Sequence, residues 1–476
     1  MKYLYLLSFY LLWLSTAFSQ PQPFANFFGD NNVAEQGVGV VQLPSGSIFM
    51  AGTANVDSIG GFDLSLSKFD ANGNLIWQKY YGTTQSDFAN GLLFMDKEYF
   101  IISGSTTAPS LRNDAVLCMV DTTGKEQWLE VYTDSMRSSY FKTVTKTTDG
   151  NLIASGAIGA LNGNGNDSYI MKTDLLGNTL WTSTLRDSAI DIAHATVNTD
   201  DGGYMVAGDV QRPGGHYNIY AAKLDAQGDV TWKKTFTSIN NGGAQNLIHA
   251  SNGNFLITGE SWPDTMETYF DIYLVMIKPD GEVVWDSYIG DPLAEAGYKI
   301  FESQPGIFIG AGYGFNFTNN STDIIVTRVD SNGNEIDRKY FGNQFLEQGF
   351  DIAPSVYGEF GFVATGFSAQ GLDDQYFLVY DAFPPLQTEG LENLPSKTVN
   401  IYPNPAINSQ TITLELPPES VDWQITDIHG RVITTFHTSF HQDKFHIQAD
   451  FPFGYYLIKG NGKSHFYHNR LLILDH

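Results

Sequence analysis

The sequence says one thing seven times. A polar residue that opens a short apolar run recurs as Asp63, Asp114, Asp167, Asn218, Asp271, Asp323 and Asp374, at intervals of 51 to 53 residues. A period near fifty with several strand-like runs per unit is that of four-stranded sheets set radially about an axis, because no single unit can bury both of its faces alone. The expected fold is all-β, a seven-bladed β-propeller.

In the fourth unit, alternation and turn signals predict strands over 193–198, 204–208, 219–224 and 230–236, with tight turns at Asp200-Asp201-Gly202-Gly203 and Ala226-Gln227-Gly228. A glycine ends the second strand of every unit: Gly52, Gly104, Gly156, Gly208, Gly259, Gly312 and Gly366. A residue without Cβ at a fixed strand position implies a bulge or a close backbone approach near the axis.

The fourth strand carries Trp77, Trp128, Trp181, Trp232 and Trp285; Asp337 takes the slot in the sixth unit, and the seventh stops after Asp381 with no fourth strand. Phe24-Ala-Asn-Phe-Phe28-Gly29 matches Trp77-Gln-Lys-Tyr-Tyr81-Gly82 position for position. The N-terminal segment is therefore expected to supply the last blade's outer strand, which removes two open sheet edges. The constant register of the tryptophans assigns them to packing between blades rather than to sugar stacking.

The formal net charge of −26, from 52 acidic against 26 basic residues, argues against nucleic acid and anionic lipid as partners. Met1-Lys2, the apolar stretch Tyr3 to Leu14 and Ala17-Phe18-Ser19 read as a signal peptide over 1–19. The lone Cys118 lies in an apolar strand and reads as an inert buried thiol. The propeller is expected over 20–383.

Connections from second to third strand are the longest, so recognition is expected on that face. The most ligand-like is Glu260-Ser261-Trp262-Pro263-Asp264, where Trp262 stands off the blade register beside Asp264. Arg212 and His216 in the neighbouring unit, with Tyr313 and Phe315, would complete a polar and aromatic ligand-binding surface. Asp30, Asp134, Asp187, Asp291 and Asn343, at matching places between units, read as turn caps before they read as cation ligands. The Asp70-to-Asn74 and Asp330-to-Asn334 turns lack the ligand count of an EF-hand and fit Asx-stabilised hairpins; structural Ca²⁺ is the secondary reading, and no other cofactor or metal is expected. The propeller histidines, His194, His216 and His249, lie in different units without motif spacing, so no catalytic residue is assigned and the chain is expected not to be an enzyme.

Repetition ends near Phe383, and 384–398 reads as a linker. Beyond it, strands predicted over 411–416, 423–427, 431–436, 444–448, 455–459 and 471–474 make a small β-sandwich over 399–476. His465 and His468 stand three apart on a strand and so face opposite ways, which argues against a shared metal.

This segment carries Tyr402-Pro403-Asn404-Pro405, then Gly430-Arg431, then Gly454-Tyr455-Tyr456. In order and spacing it resembles the type A C-terminal sorting domain of the type IX secretion system of Bacteroidota, although it lacks that family's Lys-rich last strand. The resemblance implies an Ig-like sandwich recognised by the secretion machinery at the outer membrane, and a secreted or cell-surface cargo that is released or attached to surface lipopolysaccharide. The propeller units likewise look like repeats of secreted proteins in that phylum. The functional expectation is a binding or adhesion propeller recognising glycan or protein, with a polysaccharide hydrolase or lyase, or a structural surface-layer protein, as alternatives.

Overall fold

The computed structural model describes residues 21–474 apart from 30–34, 57–60, 110–111, 162–164, 187–189, 213–214, 237–240, 262–269, 291–294, 317, 371–372, 387–395 and short stretches of the C-terminal unit (405, 408–409, 418–420, 428–431, 440–443, 449–451, 453 and 463–465). The expected signal peptide lies outside the described residues.

Among these residues the first 383 positions form seven four-stranded antiparallel sheets. Their innermost strands are Glu35–Gln42, Asp87–Met95, Ser139–Lys146, Asp191–Asn198, Gly242–His249, Glu295–Gln304 and Leu346–Pro354. Each packs on the next, and the last packs on the first, so the ring is closed. In the fourth blade the strands are Asp191–Asn198, Tyr204–Gln211, Tyr217–Leu224 and Val230–Phe236. The second and third run further toward the long-loop face than alternation predicts, because the hairpin ladder continues through Val210 and Asn218.

Burial follows position in the blade. Middle strands such as Ile48–Val56 and Asn113–Asp121 are buried almost throughout, because both of their faces meet a neighbouring blade. The described apolar cores lie between sheets. One joins Phe49 and Leu66 of the first blade to Phe100 and Cys118 of the second; another joins Val40 and Met50 to Tyr376 and Leu378 across the seam of first and last blades. Cys118 is fully buried, and burial pushes its thiol pKa well up.

At the seam, strand Phe24–Phe28 pairs antiparallel with Asp373–Ala382, so the chain's beginning completes its last blade. The tryptophans explain the register. Trp77 lies against Gly124, Trp181 against Gly228, Trp232 against Gly281 and Trp285 against Gly333, each covering the turn glycine of the following blade. Phe24 covers Gly73 in the same way. In the sixth blade the slot holds Asp337, which binds buried Arg328 through two hydrogen bonds of 2.9 and 2.7 Å, while the guanidinium stacks on Phe360 and Phe383.

The C-terminal unit has two sheets. One joins Ser396–Thr398, Ala406–Ile407, Val421–Asp427, Val432–Thr438, Gly454–Gly462 and Phe466–Leu474; the other joins Ile401–Tyr402, Thr411–Glu415 and Lys444–Gln448. Ile412 and Leu414 from one meet Trp423, Ile458 and Leu471 from the other in a shared core. The first of these strands, Ser396–Thr398, starts within the segment read as linker.

Candidate functional site

Each innermost strand throws a residue out of its ladder at the same place. The pairing with the second strand skips Val38, Asn90, Lys142, His194, Gln245, Tyr298 and Phe350 at one matching place in each blade, and in the sixth blade also Ser303 further along. All seven line a cavity of about 420 Å³ on the propeller axis. A bulge re-aims a side chain in this way because the extra residue has no ladder partner. The recurrent second-strand glycine makes the bulge fit: Gly208 pairs with Ala193, the residue before the bulge, and a Cβ on Gly208 would drive into the carbonyl oxygen of Ile192. The close approach expected of these glycines is what the structure contains.

The ring has two chemically distinct arcs. Asn90, Lys142, His194 and Gln245 make a polar arc; Tyr298, Phe350 and Val38 face it. In the polar arc His194 Nε2 lies 2.9 Å from Asp209 Oδ2. Asp209 sits on the second strand of the same blade, and its Oδ1 accepts a 2.6 Å hydrogen bond from the Ala244 amide of the next blade. With Nε2–H donating to this anchored carboxylate, Nδ1 is left as the basic nitrogen. Burial lowers the pKa of Lys142, opposed by the charge of Asp209. Burial, and then Asp209, raises the Glu260 carboxyl to about 7. The same two causes push the Tyr140 phenol up to about 12.

The opposite arc is an aromatic wall. Tyr298 stands 5.8 Å from Tyr313 and 5.1 Å edge-on from Phe350, which stacks on Phe367 at 5.7 Å. Burial and the charge of Glu260 push the Tyr313 phenol to about 12. This one cavity therefore offers an oriented imidazole, a lysine amine and an aromatic wall.

Of the residues singled out from sequence, Tyr313 joins this wall, and Phe315 follows it on the strand Ile307–Asn316. Arg212 and His216 close a turn of the fourth blade in which the Arg212 amide donates to the His216 carbonyl at 2.7 Å. Trp262 and Asp264 lie outside the described residues, as do Asp30, Asp187 and Asp291. Glu260, expected in a loop, is on the strand Phe255–Ser261. Asp134 Oδ1 accepts from the amides of Met136 and Arg137, and Asp70 Oδ1 from those of Asn72 and Asn74, so both serve their own turns. In the sorting motif Tyr402 is 40% exposed under Lys444, whereas Tyr456 is buried; Pro405, Gly430 and Arg431 lie outside the described residues. Sequence reasoning missed the ring. Its signal is a slot that changes from Val to Lys to His between units while Gly or Ala precedes it in six of the seven, as a side chain freed from packing would.

Among the described residues no helix is long and apolar enough to cross a membrane, and no three His, Cys, Asp or Glu side chains gather as a metal-binding group.

Residues 400–474 match the family described as secretion system C-terminal sorting domain. The chain carries a type IX sorting domain and is exported to the cell surface or the extracellular space. Residues 77–233 match the family described as Arylsulfotransferase (ASST). That match points to an enzyme family and overturns the expectation of a chain without catalytic activity; the matched segment includes Lys142, His194 and Asp209. Spacing gave no sign of these groups together, because His194 and Asp209 share one blade and Lys142 belongs to the blade before it. No curated protein matches the chain.

Solved structures of similar shape are distant. A catalytically inactive virginiamycin B lyase from Staphylococcus aureus with quinupristin is 13% identical, with 75% of this chain and 99% of that chain covered at a TM-score of 0.46. An endo-arabinase from Bacteroides thetaiotaomicron is 14% identical, with 55% and 96% covered at 0.34. The β-propeller domain of the Trilobed protease from Pyrococcus furiosus, described as having an open velcro topology, is 9% identical, with 75% and 93% covered at 0.41.

Proposed function

We propose that this secreted propeller is a sulfuryl-transfer enzyme whose active site is the axial ring, with an aryl sulfate as donor and a hydroxyl compound as acceptor. The observation that carries the reading is the His194–Asp209 pair beside Lys142, in the segment that matches the arylsulfotransferase family. An imidazole oriented by a carboxylate is a general base, and the Lys142 amine would take up its charge beside a bound sulfate ester, whose negative charge opposes the effect of burial. In the step proposed, His194 Nδ1 takes the proton of the acceptor hydroxyl as its oxygen bonds to sulfur. The bond from sulfur to the aryl oxygen breaks, and the aryl oxide leaves with the electron pair. Tyr298 and Phe350, set edge to face, offer aromatic contacts for the aryl ring.

The same wall favours a second reading, recognition of a sugar ring without turnover. The test is incubation of the mature secreted chain with 4-nitrophenyl sulfate and a phenolic acceptor. Release of 4-nitrophenol with a sulfated acceptor supports transfer. No turnover, with selective retention on a glycan array, supports recognition instead.

A further inference from the structure

We propose that the junction of the first and second blades binds a hard divalent cation, calcium in class, between Asp63 and Asp87 beside Gly82. Both carboxylates are fully buried. Asp87 Oδ2 accepts from the Thr83 amide at 2.7 Å and from the Thr83 hydroxyl at 3.2 Å. Neither carboxylate oxygen of Asp63 accepts a hydrogen bond from any described residue. The two side chains converge on one place: a Cβ on Gly82 would collide with Asp87 Oδ2 and lie 3.1 Å from Asp63 Oδ1. A buried carboxylate without a partner is among the costliest arrangements a fold can hold, so something with positive charge belongs there.

The repeat itself shows what is missing. Two units later the same slots hold Asp167 and Asp191, again fully buried. There the glycine slot is Arg186, whose Nε and Nη2 donate to Asp167 at 2.9 and 2.6 Å. The slot after the blade tryptophan is Lys233, whose Nζ reaches Asp191 at 3.0 Å. That slot reaches the opening carboxylate of its own blade elsewhere too, as Gln78 to Glu35 at 3.5 Å and Arg338 to Glu295 at 2.9 Å. At the first junction the two equivalents are Gly82 and Leu129, and Leu129 packs into the apolar core. The carboxylate pair is kept and both side-chain cations are gone. Oxygen-only donors of formal charge −2 suit calcium over a softer metal.

The test is thermal unfolding and calorimetric titration of the mature full-length chain after chelation. Added Ca²⁺ is expected to raise the melting temperature by about 5 °C, as binding to the folded state alone requires, and Asp63→Asn is expected to lose most of that rise. Should Asp63→Asn fail to fold, Asp87→Asn takes its place, and the wild-type titration still decides. A wild-type melting temperature indifferent to Ca²⁺, or a calcium response undiminished in both variants, overturns the proposal. So does an Asp63→Asn chain more stable than wild type in saturating Ca²⁺, which would assign the balance of charge to a shared proton.

Discussion

Phe24 covers Gly73 from the far end of the chain, its ring 2.5 Å from where a glycine Cβ would stand. The contact ties the N-terminal strand to the first blade while the strand's backbone pairs with the last. Phe24→Ala is expected to cost about 1–3 kcal/mol, below the range for a fully buried phenylalanine because the ring is partly exposed. Chemical denaturation checks this. Deleting residues 24–28 is expected to be far worse, since it strips a whole strand from the seam.

His194→Ala and Asp209→Asn are expected to lower sulfuryl transfer by about 10²–10⁴-fold with the circular dichroism spectrum unchanged. Asp209→Asn keeps the contact with His194 but removes the charge that stabilises a protonated imidazole. Initial rates with 4-nitrophenyl sulfate measure both variants.

Gly208→Ala is expected to destabilise the propeller by about 1–3 kcal/mol, because the new methyl group enters the space of the Ile192 carbonyl oxygen. Ala207→Gly, one position away on the same strand, leaves that oxygen untouched. Comparing the two by urea unfolding isolates the close approach that the bulge requires.

Glu260 gives a signed pH dependence. Its folded pKa of about 7 lies above the ordinary 4.5, so the folded state binds the extra proton and stability falls as pH rises from about 4.5 through about 7. Glu260→Gln removes this penalty. The variant is expected to match wild type near pH 4 and to exceed it at pH 8 by about 2–3 kcal/mol. Melting curves at the two pH values check the difference.

Deleting residues 399–476 removes the sorting domain, and the propeller is expected to stay within the cell envelope. Fractionation of cells expressing the truncated chain checks this; normal appearance outside the cell would contradict it.

The architecture was legible because it is written in packing, which the repeat keeps constant. Trp77, Trp181 and Trp232 each need a glycine across the next junction, and Phe24 aligns with them in the sequence alone. The site was not legible for the opposite reason. Lys142, His194 and Gln245 occupy one structural slot with three different residue types, and Val38 and Phe350 fill it elsewhere, so alignment of the units hides them. Asp209 and His194 come together only because a bulge turns one strand's side chain toward the axis. Tyr313 stands against Tyr298 of the ring, and Glu260 lies on a strand, not in a loop, because the strand runs past Gly259.

The bulged residues belong to no ladder, and each is aimed at the hub. A spoke does not register which one it carries: Val, Asn, Lys, His, Gln, Tyr and Phe are all borne on the same frame. What makes the wheel durable is thus held apart from what lines its hub, and different chemistry can be written at seven positions without rebuilding the rim.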